Sequence, residues 1–319
     1  MDKTVFLFPG QGSQRVGMGL HLLQERPDLH ELYYHPADEI LGIPLSRMCW
    51  EGPEEALRDT AVTQPAVFLT SLATLEVLRG HGIRPDTVAG HSLGEYTAMV
   101  AAGVLEWEDA LCLVRRRGEL MAGVNREVPG SMAAVLGLDL PTVEEICAEV
   151  AAATGQVVEV ANDNEPGQAV VSGQVDAVAL VRKEAERRGA TKALELAVGA
   201  PFHCSLMAGI EEEFAADLAR VSFHDPRVPF VSGVTAQYVT SAREAVECLR
   251  RQLAGRVRWT GTVRRLAADG GARFVEVGPG KALGGLSRRI VPEVPVHATN
   301  DERRLARTLA ECAPVETAV

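Results

Sequence analysis

The stretch Gly90-His91-Ser92-Leu93-Gly94 sets a serine between two glycines, each two residues away. A serine hydroxyl attacks a carbonyl only when a base takes its proton and the chain holds its oxygen clear of its neighbours. A G-x-S-x-G turn does the second when a strand precedes it and a helix follows, because small flanking residues let the two elements pass closely. Residues 87–90 (TVAG) read as a short apolar strand and residues 93–103 as a helix. On that reading Ser92 is a nucleophile at a helix N-terminus, and the Leu93 N–H is placed to donate to an oxyanion. The competing reading is a Gly-rich loop whose serine caps a helix.

A nucleophilic serine needs a base. His91 is a poor one, since adjacent residues on a tight turn point apart. His21, His30, His35, His81 and His224 fall in polar or connecting stretches, and His297 falls inside a predicted strand. His203, in GAPFHCSLM (199–207), lies where the chain returns from an inserted segment, at the mouth of a cleft. It is the leading candidate.

A third residue stands out by period. The predicted helix 107–123 carries the apolar stripe Ala110, Leu113, Val114, Leu120 and Met121, and Arg117 falls inside it while Arg115 and Arg116 point away. A buried arginine either meets a carboxylate of its own chain or awaits an anionic ligand that its planar fork can bind. Spacing leaves both readings open. Residues 250–265 add six arginines and no acid, either solvated helix faces or a docking patch for an acidic partner or a phosphate-bearing cofactor. The Gly-Pro-Gly at 278–280 could bring Lys281 and a helix N-terminus toward a phosphate.

The elements that must position these residues alternate in type. A strand at 4–8 is followed by a helix at 65–82, the strand–serine–helix unit and the arginine helix. Residues 131–196 then run strand, helix, strand, strand, helix, strand, the ferredoxin-like order. Strands at 228–234, 272–278 and 294–299 resume the alternation. The fold class is therefore α/β: a large domain with a mostly parallel sheet, interrupted by a small α+β domain. The boundaries fall at 1–127 with 200–319 for the large domain and 128–199 for the small one.

Composition narrows the function classes. The 319 residues carry a formal net charge of −11, which disfavours nucleic acid and anionic membranes as partners. Six scattered cysteines without CxxC spacing argue against a disulfide framework or zinc site and fit a reducing cytoplasm. The N-terminus reads as a strand rather than a signal peptide, and no apolar run is expected to approach the ~18 residues of a membrane helix.

Several ordered stretches resemble one family. FPGQGSQ (8–14), GHSLGEYTA (90–98), LVRRRGELM (113–121), NEPGQAVVSG (164–173), PFHCSLM (201–207), RQL (251–253) and VEVGPGKALGGLSRRI (275–290) are similar to the motifs of malonyl-CoA:acyl carrier protein transacylases. That family comprises standalone malonyltransferases of fatty acid synthesis and the trans-acting acyltransferases of polyketide synthases. The resemblance runs from Lys3 to about Leu309. It implies an α/β-hydrolase-like large domain with a ferredoxin-like insert. It implies Ser92 as nucleophile, His203 as base, and a backbone carbonyl near Gln252 orienting that base in place of a triad acid. Gln11 and Leu93 would form the oxyanion hole, and Arg117 would clamp the malonyl carboxylate. Met121, Phe202 and His91 would line the substrate site, Asn164 would meet the pantetheine arm, and Phe202 favours malonyl over bulkier units.

The implied reaction transfers malonyl from malonyl-CoA to the phosphopantetheine thiol of an acidic acyl carrier protein, with no bound cofactor or metal. Arg250, Arg251, Arg256, Arg258 and Lys281 become candidate docking residues, and the chain is expected to be a cytoplasmic monomer. Two other readings compete: an acyl hydrolase of the same fold, which would need no carboxylate clamp, and a silent scaffold that binds the carrier.

Overall fold

The computed structural model describes residues 3–314. Among the described residues ten strands form two sheets: β1 (Lys3–Phe8), β2 (Thr87–Gly90), β3 (Gly130–Leu136), β4 (Val158–Glu165), β5 (Gln168–Gln174), β6 (Lys192–Glu195), β7 (Phe230–Val231), β8 (Tyr238–Val239), β9 (Gly271–Glu276) and β10 (Val296–Ala298). The large sheet runs β10-β9-β1-β2-β7-β8. Its neighbours are parallel except β7 and β8. β1 is central, and from Thr4 onward every residue is buried. A parallel strand covered on both faces reads as a continuous apolar run, as TVFLF does. Phe6 and Phe8 face one hydrophobic cluster with Phe68 and Leu72, while Val5 and Leu7 face another with Trp259 and Val263.

The helix under the first face is Thr60–Gly80, and it starts five residues before the predicted Pro65. Asp59 sets the start by accepting the Ala61 N–H at 2.9 Å. Pro65 has no N–H to give the carbonyl four residues back, and Arg115 donates to that Ala61 oxygen at 2.9 Å instead. Arg115 thus points partly inward, contrary to the helical-wheel expectation. The same helix corrects the membrane expectation: with a mean hydropathy of 1.4 it is long and apolar enough to cross a membrane. It is instead a core helix, almost wholly buried inside the protein. Its interspersed hydroxyls bond back to their own helix, Thr70 to the Ala66 carbonyl and Thr74 to the Thr70 carbonyl. That hides the polarity that breaks up the apolar run.

The small sheet has the order β4-β5-β3-β6 and is antiparallel throughout. Helices Leu140–Thr154 and Val175–Arg187 cover one face, with Val135, Ile146, Val171 and Val181 between them. This is the expected strand–helix–strand–strand–helix–strand unit. Its other face puts Met132, Ala161 and Val170 into the large sheet's core cluster. Outside this unit the strand expectations run long: 228–234 shortens to the two residues of β7, and β8 was not anticipated. All six cysteines are free.

Candidate active site

β2 ends at Gly90 and the next helix, Gly94–Ala102, begins four residues later. Between them Ser92 takes φ 52°, a left-handed conformation that costs a non-glycine residue about 1–2 kcal/mol. The flanking glycines make the turn possible. A Cβ on Gly90 would strike the backbone of Gly94, and one on Gly94 would strike the Phe8 carbonyl of β1. The strand–turn–helix is therefore the tight crossing that the motif requires rather than an open loop.

His203 meets this turn from the far side, 111 residues later in the chain. It too is left-handed, with φ 59°, and it is 4% exposed. Its Nδ1 lies 2.9 Å from the Gln252 carbonyl and 3.1 Å from the Gly255 carbonyl. Carbonyls only accept, so Nδ1 carries the proton and Nε2 is the free acceptor. Nε2 lies 2.7 Å from Ser92 Oγ, which donates to it. Burial, then the nearby Arg117 charge, lower the imidazole pKa to about 3, against the opposing pull of the Gln252 carbonyl. The ring is held neutral, the state a base needs.

Arg117 is 2% exposed and sits in the helix Trp107–Glu127, as its period indicated. Its Nη1 donates to Gln64 Oε1 at 2.8 Å and its Nη2 to Ser92 Oγ at 3.1 Å. The guanidinium also lies 5.9 Å from the Tyr96 ring centre. Among the described residues no carboxylate forms a salt bridge with it, and its Nε is buried without a partner. Of the two readings left by spacing, an intrachain ion pair is the one the structure lacks. Burial lowers its pKa, opposed by Tyr96 and Glu95.

The remaining candidates surround this centre unevenly. Met121 is fully buried, and its sulfur takes the Gln64 amide at 3.6 Å. Phe202 is buried next to His203 in the chain. Leu93 opens the helix, where backbone N–H groups lack intrahelical acceptors. The Gln11 amide rests 3.4 Å from Thr60 Oγ1. His91 donates through Nε2 to Asn164 Oδ1 at 2.9 Å and stands edge-on to Trp259, 5.3 Å between ring centres. His91 and Asn164 thus bind each other across the seam between the two sheets.

Three of the five basic docking candidates are engaged by their own chain. Arg250 pairs with Glu247 and Glu211. Arg256 pairs with Glu144 and donates to the Val160 carbonyl. Arg258 donates to the Val234 carbonyl at 3.1 Å. Arg251 and Lys281 are exposed. The helix after the Gly-Pro-Gly turn offers no open phosphate cradle, because the Glu276 carboxylate accepts the Leu283 N–H at 3.2 Å and the Gly284 N–H at 2.8 Å. Burial pushes that carboxyl up to about 7.

Two neighbours of the candidate site escaped the sequence. Gln64 had a local signal, being one amide in a helix apolar almost all round. Glu95 had none: an acid in a first helical turn ordinarily faces water, and here it is 1% exposed. Its Oε1 accepts the Gly233 N–H at 2.8 Å and its Oε2 accepts the Gln252 side-chain amide. Burial pushes the carboxyl up to about 7, opposed by its bonds to Ser232, Gln252 and Gly233 and by the Arg117 charge.

Comparison with known proteins gives this geometry a family. Residues 5–289 match the model of the acyl transferase domain. The chain is 41% identical over 310 residues to the malonyl CoA-acyl carrier protein transacylase of Escherichia coli O157:H7, covering 97% of this chain and 99% of that one. The crystal structure of malonyl-CoA:acyl carrier protein transacylase from Xanthomonas oryzae superposes with a TM-score of 0.94 at 39% identity, covering 98% of this chain and 99% of that chain. A type II polyketide acyl-carrier protein in complex with its malonyl-transacylase gives 0.92 at 38% identity, covering 97% and 99%. The chain belongs to the acyl transferase family and, within it, to the malonyl CoA-acyl carrier protein transacylases.

Proposed function

We propose that this chain transfers a malonyl group from malonyl-CoA to the phosphopantetheine thiol of an acyl carrier protein through a malonyl-Ser92 ester. The observation that carries the reading is one oxygen, Ser92 Oγ, shared between the His203 base at 2.7 Å and the unpaired Arg117 guanidinium at 3.1 Å. Ser92 Oγ attacks the thioester carbon as His203 Nε2 takes its proton. The Leu93 N–H and the Gln11 amide are the donors for the resulting oxyanion. The carbon–sulfur bond then breaks, and His203 returns the proton to the leaving CoA sulfur. In the second half the carrier thiol gives its proton to His203 and attacks the ester, and Ser92 recovers the proton. Arg117 holds the free malonyl carboxylate, Met121 and Phe202 wall the acyl pocket, and His91 and Asn164 line the approach of the pantetheine arm.

The relatives' names support malonyl as the acyl group and an acyl carrier protein as acceptor. They lend no support to a hydrolase. Domains at 1–127 with 200–319 and at 128–199 would place the site at their junction. Arg251 and Lys281 remain as docking residues for an acidic carrier, and the working compartment is the cytoplasm. The test is intact mass after incubation with malonyl-CoA, then after addition of a phosphopantetheinylated carrier. The expected result is one malonyl mass on the enzyme that moves to the carrier. Release of free malonate with an unmodified carrier would indicate hydrolysis.

The His203 environment sets the pH behaviour. A depressed pKa means that the base stays neutral as pH falls through the ordinary histidine range and is lost only near its own value of about 3. The rate at which a neutral serine-directed phosphonate modifies Ser92 is therefore expected to lose nothing to His203 protonation between about pH 7 and pH 5, and any fall there belongs to the Glu95 carboxyl, which burial pushes up to about 7. A half-loss centred near 6.5 that persists in Glu95→Gln would contradict it.

A further inference from the structure

The pair Ser92–His203 lacks the acid that completes a serine triad, and His203 Nδ1 points at backbone carbonyls instead. Glu95 stands one residue further out. It is a buried carboxylate that forms no salt bridge among the described residues, and its bonds converge on the same machinery. Gln252 Nε2 donates both to Glu95 and, at 3.0 Å, to the Ser92 carbonyl. The Gln252 carbonyl then accepts the His203 Nδ1–H at 2.9 Å. The other Glu95 oxygen holds the Gly233 N–H, just past β7. One carboxylate therefore ties together the serine turn, the loop after β7 and the residue whose carbonyl aims the base.

We propose that Glu95 is a positioning residue that acts as the acid of this site at one remove, fixing Gln252 so that its carbonyl holds His203 in the Nδ1-protonated form. The inference rests on the acyltransferase reading and deepens it. The chemistry explains why an acid is used. Gln252 Nε2 must serve two acceptors, and a carboxylate accepts in any orientation and offers no competing donor. An amide at position 95 would turn its NH2 toward Gln252 or force Gln252 to flip, taking the donor away from the Ser92 carbonyl. The Gln252 Oε1 is buried without a hydrogen-bond partner among the described residues, so the amide is held only through its Nε2 bonds to Glu95 and the Ser92 carbonyl.

The test compares wild type, Glu95→Gln, Gln252→Met and the double variant. Readouts are the rate and KM of malonyl loading, followed as acyl-enzyme mass, and the 15N shifts of the His203 ring. Glu95→Gln is expected to slow loading about 10- to 100-fold with KM within about twofold, consistent with 10–100-fold effects of supporting-shell changes elsewhere. Its His203 signal should show a mixture of tautomers where wild type shows Nδ1–H. Gln252→Met should cause a similar loss, and the double variant little more than either alone. Wild-type loading rate in Glu95→Gln, or strictly multiplicative losses in the double variant, would overturn the proposal. A Glu95→Gln variant that fails to fold leaves Gln252→Met to decide, since that change removes the amide and keeps the carbonyl. An unperturbed tautomer and rate there would overturn it equally. Failure of the acyltransferase reading itself would look different, because wild type would then take up no malonyl mass.

Discussion

Ser92→Ala is expected to take up no malonyl mass and to transfer none to the carrier, a loss of about 10⁴-fold or more in rate, as read by intact mass. The size follows from the mechanism rather than from the strength of any one bond. Removing Oγ removes the atom on which the acyl group rests between the two half-reactions, so both halves stop together. Arg117, His203 and the Leu93 N–H would still bind the substrate, and malonyl-CoA protection against limited proteolysis should persist in the variant. Alanine must also adopt the φ of 52° that serine takes here, so the protein should lose no more than a small part of its stability. Transfer at an appreciable fraction of the wild-type rate would mean that the thiol attacks malonyl-CoA directly and that no acyl-serine forms.

Arg117→Ala is expected to cut malonyl loading by roughly 10²- to 10³-fold in kcat/KM while acetyl loading changes less than about tenfold. A buried, hydrogen-bonded charge pair broken by truncating one partner costs about 2–5 kcal/mol, and about 1.4 kcal/mol is a factor of ten. The donor without a carboxylate has no such pair to lose. The guanidinium is bonded to Gln64 and Ser92 of its own chain, so its fork is preorganised for the substrate carboxylate. Gln64 is therefore part of the same device. Equal losses for malonyl and acetyl donors would show that Arg117 supports the fold and not the substrate.

How much of this could be read from the chain depended on the range of the interaction. The arginine was found because an apolar stripe has a period and a charge that interrupts it is visible within one helix. The small sheet was found because six elements follow one another in a known order. His203 was found only by where it falls, at the return from the insert, and its partner carbonyls lie 49 and 52 residues further on. Glu95 looks like any acid in a first turn until Gln252 arrives from 157 residues away. The arginine run at 250–265 was ambiguous for the same reason. Its partners include Glu144, 112 residues from Arg256, and Glu211, 39 residues from Arg250, so a run with no acid in the sequence is well supplied with acids in space.

The seam between the sheets has a consequence for modularity. Val257 bonds to β4 like an added strand, giving its N–H to Ala161 and taking the Asp163 N–H, at 2.8 and 2.9 Å. Gly255, two residues before it, supplies one of the carbonyls that hold His203. The insert is thus stitched to the backbone that aims the base. In a lineage of recombining enzymes, a foreign insert would bring its own seam and shift the catalytic geometry with it. A small sheet replaced without the 255–260 segment would therefore disturb the carbonyl that holds His203, so the two are best exchanged as one piece.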